Sequence, residues 1–352
     1  MKKGMTVVAL FALLLVAAGC GGGDTTTTTA APAETTTSAA PETTTTTAAL
    51  GDVKIGATLP LSGWAANYGV EAQRGTEMAV EEVNAAGGVN GRKVVVIFED
   101  TAADAKQAVT ATQKLIEVDK VQAIVGTLFS AEALAQAPIV ERAQIPLIVG
   151  QANHPDIPGA GEYIFMQNPS AETDGTAMAR YAMEVLGKKK AAILAGESAY
   201  GRVAIDILQK TFSAGGGEVV FSEIAPMDMA DFKTLLGKVK DSGADILFLI
   251  NLPRTGQIIR EESELGMSLP VGGDSMLRDR AVTAEAGDLM EGAFLPMPGP
   301  VSAAAVAQSQ AFEDLYKQKY GEELQTATPF LAYDSAKLAI AAIQNGGTRD
   351  RR

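Results

Sequence analysis

Two of the side chains on which site chemistry most often rests are nearly missing from this sequence. Its 352 residues contain one cysteine, Cys20, and one histidine, His154. A lone cysteine excludes a disulfide within one chain, even in a compartment that permits one. With one histidine and no cysteine after residue 20, a zinc site would have to be assembled mostly from carboxylates, so neither a metal nor another cofactor is expected. Aromatic residues are scarce at 5%, while Ala, Gly and Val abound, which suits closely packed α/β layers. Positive charge is also short: 29 Lys and Arg against 42 Asp and Glu leave a formal net charge of −13. An acidic chain without a basic stripe is not built to hold nucleic acid, nor to bind anionic lipid through its folded surface. No apolar run after Ala18 approaches the ~20 residues that a membrane-spanning helix needs.

Nucleotide and nucleophile motifs are absent as well. There is no G-x-x-x-x-G-K-[ST] loop, and the first strand leads into Leu59-Pro60-Leu61-Ser62-Gly63-Trp64 rather than G-x-G-x-x-G. Gly196-Glu197-Ser198-Ala199-Tyr200 falls one glycine short of a nucleophile elbow. A hydrolase pairing of Ser198 with His154 is therefore not expected, and no catalytic residue is assigned.

What is present begins with an export signal. Lys2 and Lys3 precede an apolar run from Met5 to Ala18, followed by Gly19 and Cys20. Charge, apolar core and small-residue end are the three parts of a secretory leader. The small residues before Cys20 resemble a bacterial lipobox, although Ala17 stands where Leu, Val or Ile is usual. That resemblance implies a leader over residues 1–19, cleavage before Cys20 and lipidation of its thiol, so that the membrane is reached through an N-terminal lipid alone. From residue 20 to 50 the chain is mainly Thr, Ala, Pro and Glu. It has no apolar periodicity with which to build a core and reads as a disordered tether, roughly 30 Å long on average as a coil.

The remaining ~300 residues exceed what one core usually supports, which predicts two lobes. Short apolar runs alternate with amphipathic segments. Strands are predicted at 53–59, 94–98, 123–126, 146–149, 191–194, 218–221 and 244–250. Helices are predicted at 68–86, 104–118, 130–143, 172–186, 202–214, 232–240, 255–265 and 332–344. That alternation gives an α/β fold of parallel sheets wrapped by helices. Ligands of such sheets sit beyond the carboxyl ends of the strands. Ser130, after one predicted strand, could offer its hydroxyl and the helix N–H groups to a carboxylate, or could be a plain N-cap. The Ala152-Asn153-His154-Pro155 turn could meet the same carboxylate. Asp274, after Val271-Gly272-Gly273, could take an ammonium group or be a solvated turn residue.

Several stretches carry a family resemblance: Ile55-Gly56-Ala57-Thr58-Leu59-Pro60-Leu61-Ser62-Gly63 with Tyr68-Gly69, Ala79 through Gly91, Asp100 through Ala108, Val125-Gly126 to Ser130, Tyr200-Gly201 and Asp231-Phe232. In this order they resemble the periplasmic leucine/isoleucine/valine-binding proteins of ABC importers. The resemblance implies a two-lobed, type I periplasmic-binding fold that closes on its ligand like a flytrap. It implies lobe 1 over residues 51–168 plus 296–352 and lobe 2 over 169–295. It further implies that Ser130, Ala152 and Asn153 hold an α-carboxylate, that Tyr68 and Tyr200 wall the pocket, and that Asp274 replaces the family's glutamate for the α-ammonium. Leu252 falls near a position where the family often has an aromatic residue. The implied protein is an extracytoplasmic, lipid-anchored monomer that captures an amino acid, branched-chain or similar, and delivers it to ABC permease subunits. Amides, urea, other small carboxylates, or a sensing role at a membrane receptor are the alternatives. Family members usually continue past the position of Arg352, which leads to the expectation of an exposed sheet edge on the second lobe.

If Cys20 is the lipid site, Cys20→Ser releases the protein into the medium or blocks its processing. Cell fractionation checks this, and unchanged membrane retention would remove the lipoprotein reading.

Overall fold

The computed structural model describes residues 51–297 and 303–346. The leader, Cys20, the Thr-rich stretch and the last six residues therefore lie outside the described residues. Two parallel sheets organise the fold, one of five strands and one of four.

In the first sheet, β1 (Val53–Leu59) lies between β2 (Val94–Asp100) and β3 (Ala123–Gly126). Beyond β3 come β4 (Leu147–Val149) and β5 (Ile164–Met166). β1 is an apolar strand covered on both faces, so it reads as a continuous hydrophobic run. Ile55, Ala57 and Leu59 pack into a core with Ala339 and Ile340, while Leu115, Ile124 and Val140 belong to the core on the other face. The helices here are α1 (Ala66–Ala85), α2 (Ala105–Glu117) and α3 (Ser130–Ala143). Asp104 starts α2 as its N-cap, accepting from the N–H groups of Lys106 at 3.0 Å and Gln107 at 2.9 Å.

The second sheet has the order β7-β6-β8-β9, from β6 (Lys190–Gly196), β7 (Glu218–Ala225), β8 (Ile246–Ile250) and β9 (Val271–Gly273). Its helices are α4 (Ala171–Arg180), which runs into a π turn at Tyr181–Val185, α5 (Ala199–Ala214), α6 (Lys233–Asp241), α7 (Thr255–Glu264) and α8 (Arg280–Ala286). After these come α9 (Ala303–Tyr320) and α10 (Thr328–Gly346). α10 packs along α1 on the first sheet. Gly75 makes that approach possible: a Cβ there would stand 2.1 Å from the Pro329 carbonyl oxygen.

The structure departs from the sequence expectations in several places. β5, α8 and α9 were not anticipated. β5 is only three residues long, and α9 has an almost entirely exposed surface with a weak apolar stripe, so neither carries a clear periodicity. The predicted second-lobe edge is also partly filled. Phe294 pairs in parallel with Gly272, donating its N–H to Val271 O at 3.0 Å and accepting from Gly273 N at 3.0 Å. Leu252 is 1% exposed and belongs to the second-lobe core rather than to the cleft. No described helix is long and apolar enough to cross a membrane.

Candidate functional site

The carboxyl ends of strands from both sheets lead to one cleft of about 350 Å³. Tyr68, Ser130, Ala152, Asn153, Tyr200 and Asp274 all line it.

On the first-lobe side, β3 ends at Gly126, whose φ of +116° disfavours any side chain. A Cβ there would lie 2.4 Å from Thr58 O, so the chain can leave the strand this close to β1 only as glycine. It then passes Thr127, Leu128 and Phe129 into α3. The N-cap position is Phe129, with φ −118° and ψ 138°, and not Ser130. Ser130 is the first residue of the helix, and the capping duty falls elsewhere. The Glu132 carboxylate accepts from the Thr127 hydroxyl through Oε2 and lies near the Phe129 N–H, while its Oε1 is buried without a partner among the described residues. Burial pushes the Glu132 carboxyl up to about 7, against those hydrogen bonds. Ser130 is thereby left free of a structural role. Its side chain is 5% exposed, and its hydroxyl makes no hydrogen bond to any described residue. Glu132 N donates to Phe129 O at 3.1 Å, whereas the N–H groups of Ser130 and Ala131 have no acceptor among the described residues, and both residues line the cleft.

The loop after β4 supplies Gln151, Ala152 and Asn153. Ala152 N–H donates to Thr127 O at 3.4 Å, which ties the two first-lobe loops together. The Asn153 amide interacts with Asp174 and with the Tyr200 hydroxyl. His154, next in sequence, is outside the cleft lining, and its Nδ1 accepts from the Asp156 N–H at 3.2 Å.

On the second-lobe side, Ser198 is the N-cap of α5. It accepts from Gly201 N at 2.9 Å and from Asn251 Nδ2 at 2.8 Å, and donates to Gly196 O at 3.4 Å. These bonds give its hydroxyl a structural task, remote in kind from that of an activated nucleophile. Tyr200, in the first turn of α5, has its hydroxyl pushed well above its ordinary range by burial and by nearby Asp274 and Asp174. Asn251, left-handed at φ 52°, follows β8 and donates its N–H to Asp274 Oδ2 at 2.7 Å. Asp274 caps a 3-10 turn at Ser275–Arg278 by accepting from Met276 N at 3.0 Å. Far from being a solvated turn residue, it is half-buried, and burial pushes its carboxyl up to about 6.

Sequence reasoning missed, among other residues of this lining, Asp174, Asn251 and Asp279. Asp279 accepts a hydrogen bond from the Tyr68 hydroxyl at 2.9 Å, a bond between the two lobes. Burial pushes Asp279 up to about 7 and Asp174 up to about 6. Burial, Asp279 and further carboxylates drive the Tyr68 hydroxyl upward. The available signal was positional. Asn251 follows the strand at 246–250 as Ser130 follows β3, and Asp279 sits five residues past Asp274. Among the described residues no cluster of His, Cys, Asp and Glu has the form of a metal site.

Known proteins resemble this chain in sequence and in fold. The sequence profile of the periplasmic binding protein family matches residues 52–352. The Leu/Ile/Val-binding protein homolog 8 of Brucella abortus is 31% identical over 318 residues, covering 85% of this chain and 78% of that protein. The branched-chain amino acid transporter substrate-binding protein LivJ of Streptococcus pneumoniae, crystallised with isoleucine, superposes with a TM-score of 0.72 at 28% identity, over 84% of this chain and 85% of its own. A solute-binding protein of an ABC transporter from R. palustris, crystallised with 4-hydroxybenzoate, gives a TM-score of 0.74 at 27% identity, over 85% of this chain and 82% of its own. On the profile match and the Brucella relative together, the chain belongs to the periplasmic binding protein family.

Proposed function

We propose that this protein captures an α-amino acid in the cleft between its lobes for an ABC importer. The carrying observation is the polarity of the cleft. Among the described residues, one wall presents the Ser130 hydroxyl, without a hydrogen-bond partner on an otherwise buried residue, beside the free N–H groups of Ser130 and Ala131, and the other presents Asp274, Asp279 and Asp174 without ion-pair partners. A zwitterion matches that arrangement at both ends. Its carboxylate accepts from the Ser130 hydroxyl and the first-turn N–H groups, with the Ala152–Asn153 backbone alongside. Its ammonium lies against Asp274, which is already oriented by two backbone N–H groups. Tyr68 and Tyr200 close the sides. In this reading the partners are permease subunits, and the N-terminal Cys20 lipid holds the protein at the membrane surface. A simple aromatic acid, as in the R. palustris relative, is the second reading. Trp64 and Phe129, with ring centroids 5.1 Å apart, give it an aromatic wall, but a lone anion gains nothing from the acidic side.

Ser130→Ala is expected to weaken amino-acid binding by about 10- to 150-fold, the loss of a hydrogen bond to a charged group of ~1.5–3 kcal/mol. Because the hydroxyl has no described protein partner, the melting temperature of the unliganded protein should hold. Calorimetric titration with thermal melts checks both, and retained affinity with lowered stability would mean that the residue is structural.

Asp274→Asn keeps the shape and removes the charge. Amino-acid affinity should fall at least tenfold, on the order of 2 kcal/mol. Titration with leucine and with benzoate distinguishes the readings: an aromatic acid would gain affinity in the variant, and an amino acid would lose it.

The raised carboxyls give a pH signature of opposite sign with and without ligand. Aspartate in an unfolded chain titrates near ~3.9. Asp174 and Asp274 at about 6 and Asp279 at about 7 hold protons in the fold that the unfolded chain has released. Their contribution to stability is therefore greatest at the acid end of that window and declines as pH rises through the folded values. Binding of an ammonium needs the ionised carboxylates and runs the other way. The rise in melting temperature caused by ligand should be smaller at pH ~5.5 than at pH ~8, while the unliganded protein gains stability from these groups at the lower pH. Thermal melts at both pH values check this.

A further inference from the structure

The acidic wall holds more negative charge than one ammonium group offsets. Asp174, Asp274 and Asp279 line the cleft, and none of them joins a salt bridge among the described residues. Glu197 also lines it but is paired with Arg202 at 3.0 Å. Arg278 is the one basic residue of the lining; it is exposed and forms no ion pair with the neighbouring Asp279, and its charge offsets only part of the burial of that carboxyl. When the cleft closes on a ligand these carboxylates lose water, and a buried carboxylate without a counter-charge is costly. A zwitterion with an apolar side chain supplies one cation, for Asp274. Asp279 is then left 7% exposed, with Oδ2 accepting from Tyr68 and Oδ1 without a partner among the described residues.

The spacing of the two groups sets the length of what could meet both. Asp274 and Asp279 stand at the two ends of the Ser275–Arg278 turn, Asp274 as its N-cap and Asp279 as its C-cap. At ~2 Å of rise per residue the backbone separation is on the order of 10 Å, and side chains leaning inward shorten it. Met276 lies on the cleft lining between them, an apolar surface for a methylene stem. At the far end Ser130 is an independent mark of a ligand, being buried, unpartnered and part of the same lining. The cavity of about 350 Å³ has room for the longer molecule.

We propose that the cleft selects a basic α-amino acid, whose α-groups lie between Ser130 and Asp274 and whose terminal side-chain cation meets Asp279. This rests on the amino-acid reading above and narrows it.

The test uses L-lysine against L-norleucine, which is lysine without its terminal ammonium, with benzoate as a third probe. Affinities are measured by calorimetry at pH ~8 and constant ionic strength. Lysine should bind at least tenfold more tightly than norleucine. In Asp279→Asn, whose amide oxygen can still accept from Tyr68, the lysine-to-norleucine ratio should fall at least tenfold. Norleucine binding as well as or better than lysine to the wild-type protein overturns the inference and leaves the amino-acid reading standing. An unchanged ratio in Asp279→Asn overturns the role given to Asp279. Binding of benzoate with neither amino acid overturns the amino-acid reading itself. If the variant does not fold, the wild-type ratio alone decides.

Discussion

Three aspartates, Asp174, Asp274 and Asp279, are taken out of bulk water on one wall of a cleft and given no basic partner in any described ion pair. Burial is the largest contribution to the upward shift of each. The fold compensates only in part. Asp274 accepts two backbone N–H groups, Asp279 accepts the Tyr68 hydroxyl, and Asp174 meets the Asn153 amide. Each partner is a neutral dipole, which steadies a carboxylate without cancelling its charge. The remainder of the site is arranged around that deficit. Asn251 is held left-handed where its N–H points at Asp274, Ser198 accepts from the Asn251 amide, and Tyr200 is enclosed beside the same carboxylates.

The opposite wall is built on another principle. Its polar groups are the free N–H groups of Ser130 and Ala131 and one hydroxyl, with no basic side chain in the lining on that side. A serine near the start of a helix is commonly consumed by capping, but here the cap position is Phe129 and the Glu132 carboxylate takes the Thr127 hydroxyl. The loop is fixed by a residue one turn inside the helix, and the hydroxyl is released to the cleft.

Much of the fold was legible because its elements carry strong local signals. β3 and α3 match the predicted bounds of 123–126 and 130–143, and Asp104 announces α2 as a capping residue would. β5 and α9 were not legible: three residues give no period, and a helix with most of its surface in solvent gives little contrast. At the site, residues that end a strand could be picked by position, as Ser130 and Asp274 were. Asp279 could not. Its place in the cleft depends on the 3-10 turn that follows β9 and on Tyr68 of the other lobe, 211 residues away in sequence. A contact set by the docking of two lobes leaves no local pattern. Ser130 shows the reverse difficulty, since its position suits a cap and only the backbone angles, which put the cap at Phe129, reveal that it is not one.

The hydrogen bond from Tyr68 to Asp279 has a consequence for the timing of transport. The lobes cannot part without breaking it and returning a phenol and a carboxyl to water. Its net worth, with an ionised acceptor, is ~1.5–3 kcal/mol, equivalent to about 10- to 150-fold in the balance between shut and parted forms. A contact of that size works as a latch whose strength depends on whether Asp279 carries its charge. If Asp279 meets a ligand's cation as proposed, it would hold that phenolic proton less firmly, and one carboxyl would serve both recognition and the ease with which the jaws part.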